Sequence, residues 1–283
     1  MVTDGLVVVD KAAGWTSHDV VARCRKVYGQ RHVGHAGTLD PDATGVLLVG
    51  LGRVTRLLRF LTALPKSYIA EVVMGVSTST LDAAGEVTGR FAMGPLSADE
   101  VRAAAATMVG EIDQIPPMVS AIQVGGRRLH ELARAGIEVE RVARRVSVHR
   151  FDVAATRDPA VWRIEVDCGS GTYVRSLAAD LGTALGGGAH LRNLRRTAIG
   201  SFRAEAGRGV DDLSPDAVLS PADALADYPR LEVDEEQARE ISFGRTVATP
   251  TAGPHALVDA SGRLLAVYED SRPAVVLAPA GGC

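Results

Sequence analysis

The chain has 283 residues, a formal net charge of −3 at pH 7 and 46% hydrophobic residues. This length fits one large domain with a minor one, and the apolar content is enough to bury a core. No apolar run reaches the roughly 18 residues of a membrane helix, and the acidic segment Met1–Asp10 predicts no signal peptide.

The three cysteines, Cys24, Cys168 and Cys283, are odd in number and lie far apart in the sequence. No Cys-x-x-Cys pair or Cys/His cluster provides the spacing of metal ligands. We therefore predict no metal site, and this use of cysteine favours a reducing cytoplasm.

Basic residues are concentrated in the middle of the chain. Residues 116–205 contain 14 Arg and Lys against 9 Asp and Glu, whereas the remainder contains 17 against 25. A basic segment within an acidic chain is compatible with a face that binds phosphate. An ordinary solvated charged face explains the composition equally well.

Apolar periodicity and capping patterns predict the elements before residue 113. Gly5–Asp10 is expected to form a buried strand, and the capping box at residues 16–19 begins a helix that runs to about Tyr28. Another capping box at residues 97–100 begins a helix that ends at Gly110. The other predicted elements are a strand at Val46–Gly50, a helix at Arg53–Leu64, and a half-buried strand at Ser67–Ser77.

The segment Gln114–Arg145 differs from its surroundings, because it is rich in arginine and weakly structured, with one short helix expected around residues 129–135. Such an insertion is usually functional or disordered. The regular pattern of polar and apolar residues in its helix favours an ordered arm. After it we predict two strands at Val146–Val153 and Val161–Cys168, a helix at Thr172–Leu185 ended by three glycines, and a strand at Leu194–Phe202.

A proline-punctuated boundary at Asp211–Pro229 divides the chain into predicted domains at residues 1–228 and 229–283. The second domain is expected to be β-rich, with a hairpin turn at residues 259–262. Its predicted strands are Thr246–Ala248, Ala256–Asp259, Leu264–Tyr268 and Ala274–Ala278.

The stretch Gly34–Gly45, G-H-A-G-T-L-D-P-D-A-T-G, holds the most chemically informative residues. An isolated Asp-Pro usually only begins a turn. A Mg²⁺-dependent phosphatase is one alternative, because Asp40, Asp42 and Thr44 match the nucleophile loop of haloacid-dehalogenase-type enzymes. That loop should directly follow a hydrophobic strand, which Gly34–Leu39 does not predict. A non-catalytic RNA-binding protein is a second alternative.

The same stretch resembles the catalytic loop of the TruB family of tRNA pseudouridine synthases. Other segments resemble further motifs of that family in the same order, and together they cover roughly residues 5–205. They are Leu6–Val20 with Ala12 where proline is usual, Lys66-Ser67-Tyr68, the arm Gln114–Arg145 as an RNA-gripping thumb, Cys168–Arg175 and His190–Arg196. The C-terminal part resembles the RNA-binding PUA-type barrel only weakly.

The resemblance implies an α+β pseudouridine-synthase fold. Its central sheet is mixed, mostly antiparallel and flanked by helices, with the thumb inserted at about 114–145 and a PUA-like β domain at the end. The implied reaction converts uridine 55 in the T loop of tRNA to pseudouridine without a cofactor or metal. The implied partner is the tRNA T stem-loop, and the protein is expected to be a monomer.

The resemblance also assigns roles to individual residues. Asp40 is the expected nucleophile, and Arg175 is expected to pair with it and keep it ionised. Outside the family context, most of the matched residues would be ordinary core, turn or helix-edge positions, and their joint order favours a site. The other roles are stacking on uracil for Tyr68, walls of the base pocket for Tyr173 and Leu194, occupation of the vacated base position for His35, loop ordering for Lys11, and RNA-backbone contacts for Arg127, Arg128, Arg144 and Arg145.

Overall fold

The computed structural model describes residues 4–118, 123–124, 127–128 and 141–277. The α-helices within these residues are α1 Ser17–Val27, α2 Leu58–Ala63, α3 Ala98–Ala106, α4 Val174–Ala184 and α5 Glu235–Ser242. The strands are β1 Gly5–Lys11, β2 Val33–Ala36, β3 Thr44–Leu51, β4 Lys66–Met74, β5 Val76–Thr78, β6 Val87–Arg90, β7 Gly110–Gln114, β8 Gln123–Val124, β9 Arg127–Arg128, β10 Arg144–Ala155, β11 Val161–Cys168, β12 Ala189–Ile199, β13 Phe202–Arg203, β14 Arg208–Gly209, β15 Val218–Leu219, β16 Arg230–Glu232, β17 Pro254–Val258, β18 Leu264–Glu269 and β19 Arg272–Val276.

Both predicted capping boxes form. Thr16 Oγ1 accepts a hydrogen bond from the Asp19 N–H at 3.1 Å, and the Asp19 carboxylate accepts one from the Thr16 N–H at 2.9 Å. Ser97 and Glu100 make the same reciprocal pair at the start of α3. Each box satisfies N–H groups that have no partner inside the helix, which is why these helices begin where the sequence predicts.

Several boundaries differ from the sequence prediction. The helix expected at residues 53–64 is a 3₁₀ segment, Gly52–Leu57, followed by the short α2. Helix α3 ends at Ala106, with Thr107 as its C-cap, and Gly110, at a φ of 105°, is the first residue of β7. The strand expected at residues 246–248 is absent from this described part of the chain.

Other elements were missed or misplaced, among them β12, β2 and α5. β12 begins at residue 189 instead of 194. β2 was not predicted, because it has only four residues and two of them are glycine and histidine. α5 was not predicted either, because its sequence E-E-Q-A-R-E-I-S is too polar to show an apolar stripe, although Asp234 and Gln237 cap it.

Contacts divide the chain into two compact units, and the first contains the described residues within Met1–Pro41, Gly45–Leu64 and Ile199–Cys283. In this unit β1 pairs antiparallel with β3 and β15 and parallel with β14, while β2 pairs antiparallel with β3. Both faces of β1 are buried, with Leu6 and Val8 in one core cluster and Val7 and Val9 in another that includes residues of α1. Burial on both faces explains the continuous apolar run of β1.

The C-terminal strands form a separate four-stranded sheet in the order β16-β17-β18-β19, with the predicted hairpin between β17 and β18. Residues of β17 and β18 share a core cluster with Leu6 and Val8, so the sheet packs against the N-terminal part of the first unit. Arg53 and Arg56 donate to the carbonyl oxygens of Leu277 and Val276, each at 2.7 Å. The arginines therefore hold the last described strand.

The second unit comprises Asp42–Thr44 and the described residues within Pro65–Ala198. Its strand order is β12-β4-β11-β10-β7, and β4, β11, β10 and β7 pair antiparallel. The buried face of β4 carries Tyr68, Ala70, Val72 and Met74, as the alternation predicts. One core cluster joins this face to α3 and α4. The predicted α+β fold with a mixed, mostly antiparallel sheet is confirmed.

Within the described residues no helix is long and apolar enough to cross a membrane.

Candidate active site

Asp40 lies in the connection between β2 and β3, half-buried, between the buried Leu39 and the exposed Pro41. β2 ends at Ala36, so residues 37–39 separate the acid from that strand. This spacing argues against the phosphatase alternative, whose nucleophile should directly follow a strand. The connection is neither a helix nor a strand, so side-chain anchors must fix its conformation.

Ser17 anchors the residue before Asp40. Its hydroxyl accepts a hydrogen bond from the Leu39 N–H at 2.9 Å and donates one to the Leu39 carbonyl oxygen at 3.1 Å. Ser17 is 1% exposed and Leu39 is 4% exposed, so water does not compete for these bonds. The N-terminal turn of α1 thus holds the main chain immediately before the candidate nucleophile.

Lys11 anchors the residue after Asp40. Its Nζ donates to the carbonyl oxygens of Ala12, Trp15 and Pro41 at 3.0, 2.8 and 2.9 Å, and the side chain is 0% exposed. The Gly14 N–H also donates to the Pro41 oxygen at 2.9 Å. The segment that follows β1 is therefore joined to the loop, in agreement with the ordering role expected for Lys11.

His35 lies on β2 opposite Val49, and not in a turn. Its ring meets His18 edge-to-face, with ring centroids 5.6 Å apart and an interplanar angle of 85°. His35 on β2 and Asp40 in the following β2–β3 connection both belong to the first unit. His18, at the start of α1, was not predicted as a neighbour, because a single exposed histidine in a capping sequence gives no such signal.

The second unit contains the predicted pocket residues. Tyr68 is buried on β4 opposite Val166, and the half-buried Leu194 of β12 packs against the same core cluster. Tyr173 precedes the first residue of α4 as its N-cap, and its main chain is bonded to the Gln114 side chain. The structure thus places Tyr68 and Leu194 in one cluster and Tyr173 and Arg175 on one helix start.

Arg175 is held by a polar turn within its own unit. The side chain is 6% exposed, and its Nη1 donates to the Thr80 carbonyl oxygen at 3.1 Å and to Asp82 Oδ2 at 3.2 Å. The Asp82 carboxylate also accepts from the Ala84 N–H at 3.1 Å. Sequence reasoning missed Asp82, because a Ser/Thr-rich turn with one Asp and one Gly resembles any surface turn. The pairing of Arg175 with Asp40 stays a prediction.

Lys66 occupies the same face of β4 as Tyr68, two residues away. Burial of the ammonium group, assisted by the positive charge of Arg196, lowers the pKa of Lys66 to about 8. The register places it opposite Cys168, where burial raises the thiol pKa to about 11. Such a thiol is protonated at neutral pH and is not a nucleophile.

The arm is described only in part. Within it β8 pairs antiparallel with β9, which comprises Arg127 and Arg128, whereas the helix expected at residues 129–135 lies outside the described residues. Arg144 and Arg145 are exposed at the start of β10, and Arg145 lies 3.3 Å from Asp113. An exposed ion pair of this kind is worth about 0–1 kcal/mol.

Among the described residues, no group of three or more His, Cys, Asp or Glu side chains is arranged to hold a metal ion.

Three family models match the chain. Residues 25–174 match "TruB family pseudouridylate synthase (N terminal domain)". Residues 175–226 match "tRNA pseudouridylate synthase B C-terminal domain", and residues 228–277 match "tRNA Pseudouridine synthase II, C terminal". The matches therefore extend from residue 25 to residue 277, with only residue 227 between them unmatched.

Known proteins are similar over nearly the whole chain. A protein of Arthrobacter sp. (strain FB24) named tRNA pseudouridine synthase B is 45% identical, covering 97% of each chain. A protein of Rhodococcus jostii (strain RHA1) with the same name is 47% identical, covering 95% of this chain and 91% of that one. Among solved structures, a Cbf5-Nop10-Gar1 complex contains a chain that superposes with a TM-score of 0.75 at 26% identity, covering 95% of this chain and 79% of that one.

Proposed function

The chain belongs to the TruB family of tRNA pseudouridine synthases, and we propose that it converts uridine 55 in the T loop of tRNA to pseudouridine, with Asp40 as the nucleophile. The reaction breaks the bond between C1′ and N1, turns the base and forms a bond between C1′ and C5. N1 gains a proton and C5 loses one, so the reaction needs no redox partner and no external group.

The fixed main chain on both sides of Asp40 is the observation that carries this proposal. Ser17 holds Leu39 and Lys11 holds Pro41, and both anchoring side chains are buried. A carboxylate serves as a nucleophile or stabilises an oxocarbenium centre, as in glycoside hydrolysis. Its efficiency depends on being held in place before the substrate arrives, and the two anchors supply that rigidity.

We assign the pocket for the base to the second unit. The uridine must leave its stack, at a cost of a few kcal/mol, and an aromatic ring that stacks on a base returns about 1–3 kcal/mol. Tyr68 is the ring proposed to stack on the uracil, and Tyr173 and Leu194 are proposed to form the walls of the base pocket. Arg175, oriented by Thr80 and Asp82, supplies the positive charge proposed to keep Asp40 ionised.

We propose that the arm binds the tRNA backbone through its arginines and that recognition follows the shape of the folded T arm. The proposed contacts are Arg127, Arg128, Arg144 and Arg145. We further propose that residues 1–228 form the catalytic domain, that residues 229–283 form a PUA-like RNA-binding domain, and that the protein acts as a cytoplasmic monomer.

The test is incubation of the purified chain with an unmodified tRNA transcript, followed by chemical mapping of pseudouridine at single-nucleotide resolution. We expect one modified position, in the T loop, and none in a matched transcript with cytidine at that position. A modified uridine elsewhere would overturn the substrate assignment. Tight tRNA binding without any product would favour the non-catalytic alternative, and chelator-sensitive phosphate release would favour the phosphatase.

A further inference from the structure

Gln114 lies at the root of the arm, at the point where β7 ends. It is 2% exposed and pairs with Arg144 across the two strands that begin and end the arm. Both ends of its side-chain amide bind the main chain of Tyr173. The Tyr173 N–H donates to Gln114 Oε1 at 2.7 Å, and Gln114 Nε2 donates to the Tyr173 carbonyl oxygen at 3.0 Å.

A third bond joins the same two segments. Ser176 Oγ donates to the Ile115 carbonyl oxygen at 3.1 Å. The three bonds therefore enclose residues 173–176, the first turn of α4, and Arg175 lies between the two attachment points. Gln114 thus binds the N–H of Tyr173, the N-cap of α4, which is one of the N–H groups at a helix start that have no partner within the helix.

We propose that Gln114 is a positioning residue, which fixes Tyr173 and Arg175 with respect to the root of the RNA-binding arm. This inference rests on the proposed function, because it gives those two residues a role in the reaction. The two-point bond removes the freedom of the Tyr173 main chain to rotate or shift, and the direction of the following helix turn is thereby set. Loss of the bond lowers turnover more than it lowers tRNA binding.

The test compares two variants with a matched control. Gln114→Met keeps the length of the side chain and removes both bonds, whereas Gln114→Glu can accept from the Tyr173 N–H but, when ionised, cannot donate to the carbonyl oxygen. Thr156→Val is the control, because Thr156 Oγ1 bonds the carbonyl oxygens of Asp158 and Val161 at 3.1 and 2.9 Å in the turn between β10 and β11. This control disturbs side-chain to main-chain bonds of the same sheet without contact to α4.

For Gln114→Met we expect kcat per folded molecule to fall about 100-fold, the size of effect that a displacement of about 1 Å produces, with KM for tRNA within about twofold of wild type. The kcat of Gln114→Glu should lie between those of Gln114→Met and the wild type. Thr156→Val should lower the melting temperature and keep the wild-type kcat. A kcat for both Gln114 variants equal to that of Thr156→Val would overturn the inference. Should Gln114→Met fail to fold, Gln114→Glu alone decides. Absence of pseudouridine with the wild-type protein would instead contradict the proposed function.

Discussion

The substitution Ser17→Ala tests whether the main chain before Asp40 is held as the structure indicates. It removes one hydroxyl group and adds nothing. The Leu39 N–H and carbonyl oxygen then lose their hydrogen bonds to Ser17 Oγ, of 2.9 and 3.1 Å. Because Ser17 is only 1% exposed, water does not replace the lost hydroxyl. Each buried polar group left unsatisfied costs roughly 1–3 kcal/mol, so with partial relaxation we expect a loss of about 2–4 kcal/mol in the free energy of unfolding.

Loss of the two Ser17 bonds should also lower turnover. Once Leu39 can move, Asp40 no longer occupies one position, and displacement of a reacting group by about 1 Å lowers the rate roughly 100-fold. The assay combines urea unfolding of the free protein with single-turnover pseudouridine formation under saturating enzyme. These conditions separate the chemical step from tRNA binding.

Ser97→Ala is the matched control, because it removes the capping hydroxyl of α3 from an exposed position. It should cost about 1 kcal/mol of stability and leave the single-turnover rate unchanged. The reasoning would be refuted if Ser17→Ala kept the wild-type free energy of unfolding to within about 0.5 kcal/mol, because no buried group would then have lost its partner. A rate equal to that of Ser97→Ala would equally refute the link between Ser17 and Asp40.

Three other predictions concern RNA binding, pH and metal. Replacing the four arm arginines with alanine should weaken tRNA binding and flatten the dependence of log K on log salt by up to about 3 units, and an unchanged slope would exclude the arm as the phosphate-binding element. Because the pKa of Lys66 in the folded protein is lowered to about 8, the unfolded chain binds more protons than the folded one above that pH. The free energy of unfolding of the wild type should therefore rise between pH 8 and about 10 relative to that of Lys66→Met, as measured by urea unfolding. A pH-independent difference between these two proteins would contradict the assigned pKa. EDTA should leave pseudouridine formation unchanged, and loss of product in EDTA would contradict a reaction without a metal.

Local signals in the sequence predict much of the fold. The strand β11 begins and ends at the predicted residues, because its apolar residues alternate with charged ones, as is typical of a half-buried strand. The capping boxes of α1 and α3 fix both helix starts. The missed elements include the four-residue β2, which depends on pairing with β3, and α5, whose capping box of Asp234 and Gln237 was overlooked.

The candidate site likewise contains residues that the sequence predicts and residues that it does not. Motif order predicts the acid, the tyrosines and the arginine, because these residues lie within distinctive segments. The residues that hold them were not predicted as anchors, because Ser17, Gln114 and Asp82 act on main chain or side chains 22, 59 and 93 positions away. No local pattern contains contacts over such separations. A serine in the first turn of a helix or a glutamine at the end of a strand looks ordinary until the chain is folded.

The most direct measurement of the central claim is release of tritium from C5-labelled uridine in tRNA by Asp40→Asn, with tRNA affinity measured in parallel. Asp42→Asn is the matched control, because it makes the same change two residues away, at an exposed position. We predict that Asp40→Asn binds tRNA with wild-type affinity and releases no tritium, while Asp42→Asn releases it at the wild-type rate. Tritium release by Asp40→Asn at a rate close to wild type would contradict the assignment of the nucleophile.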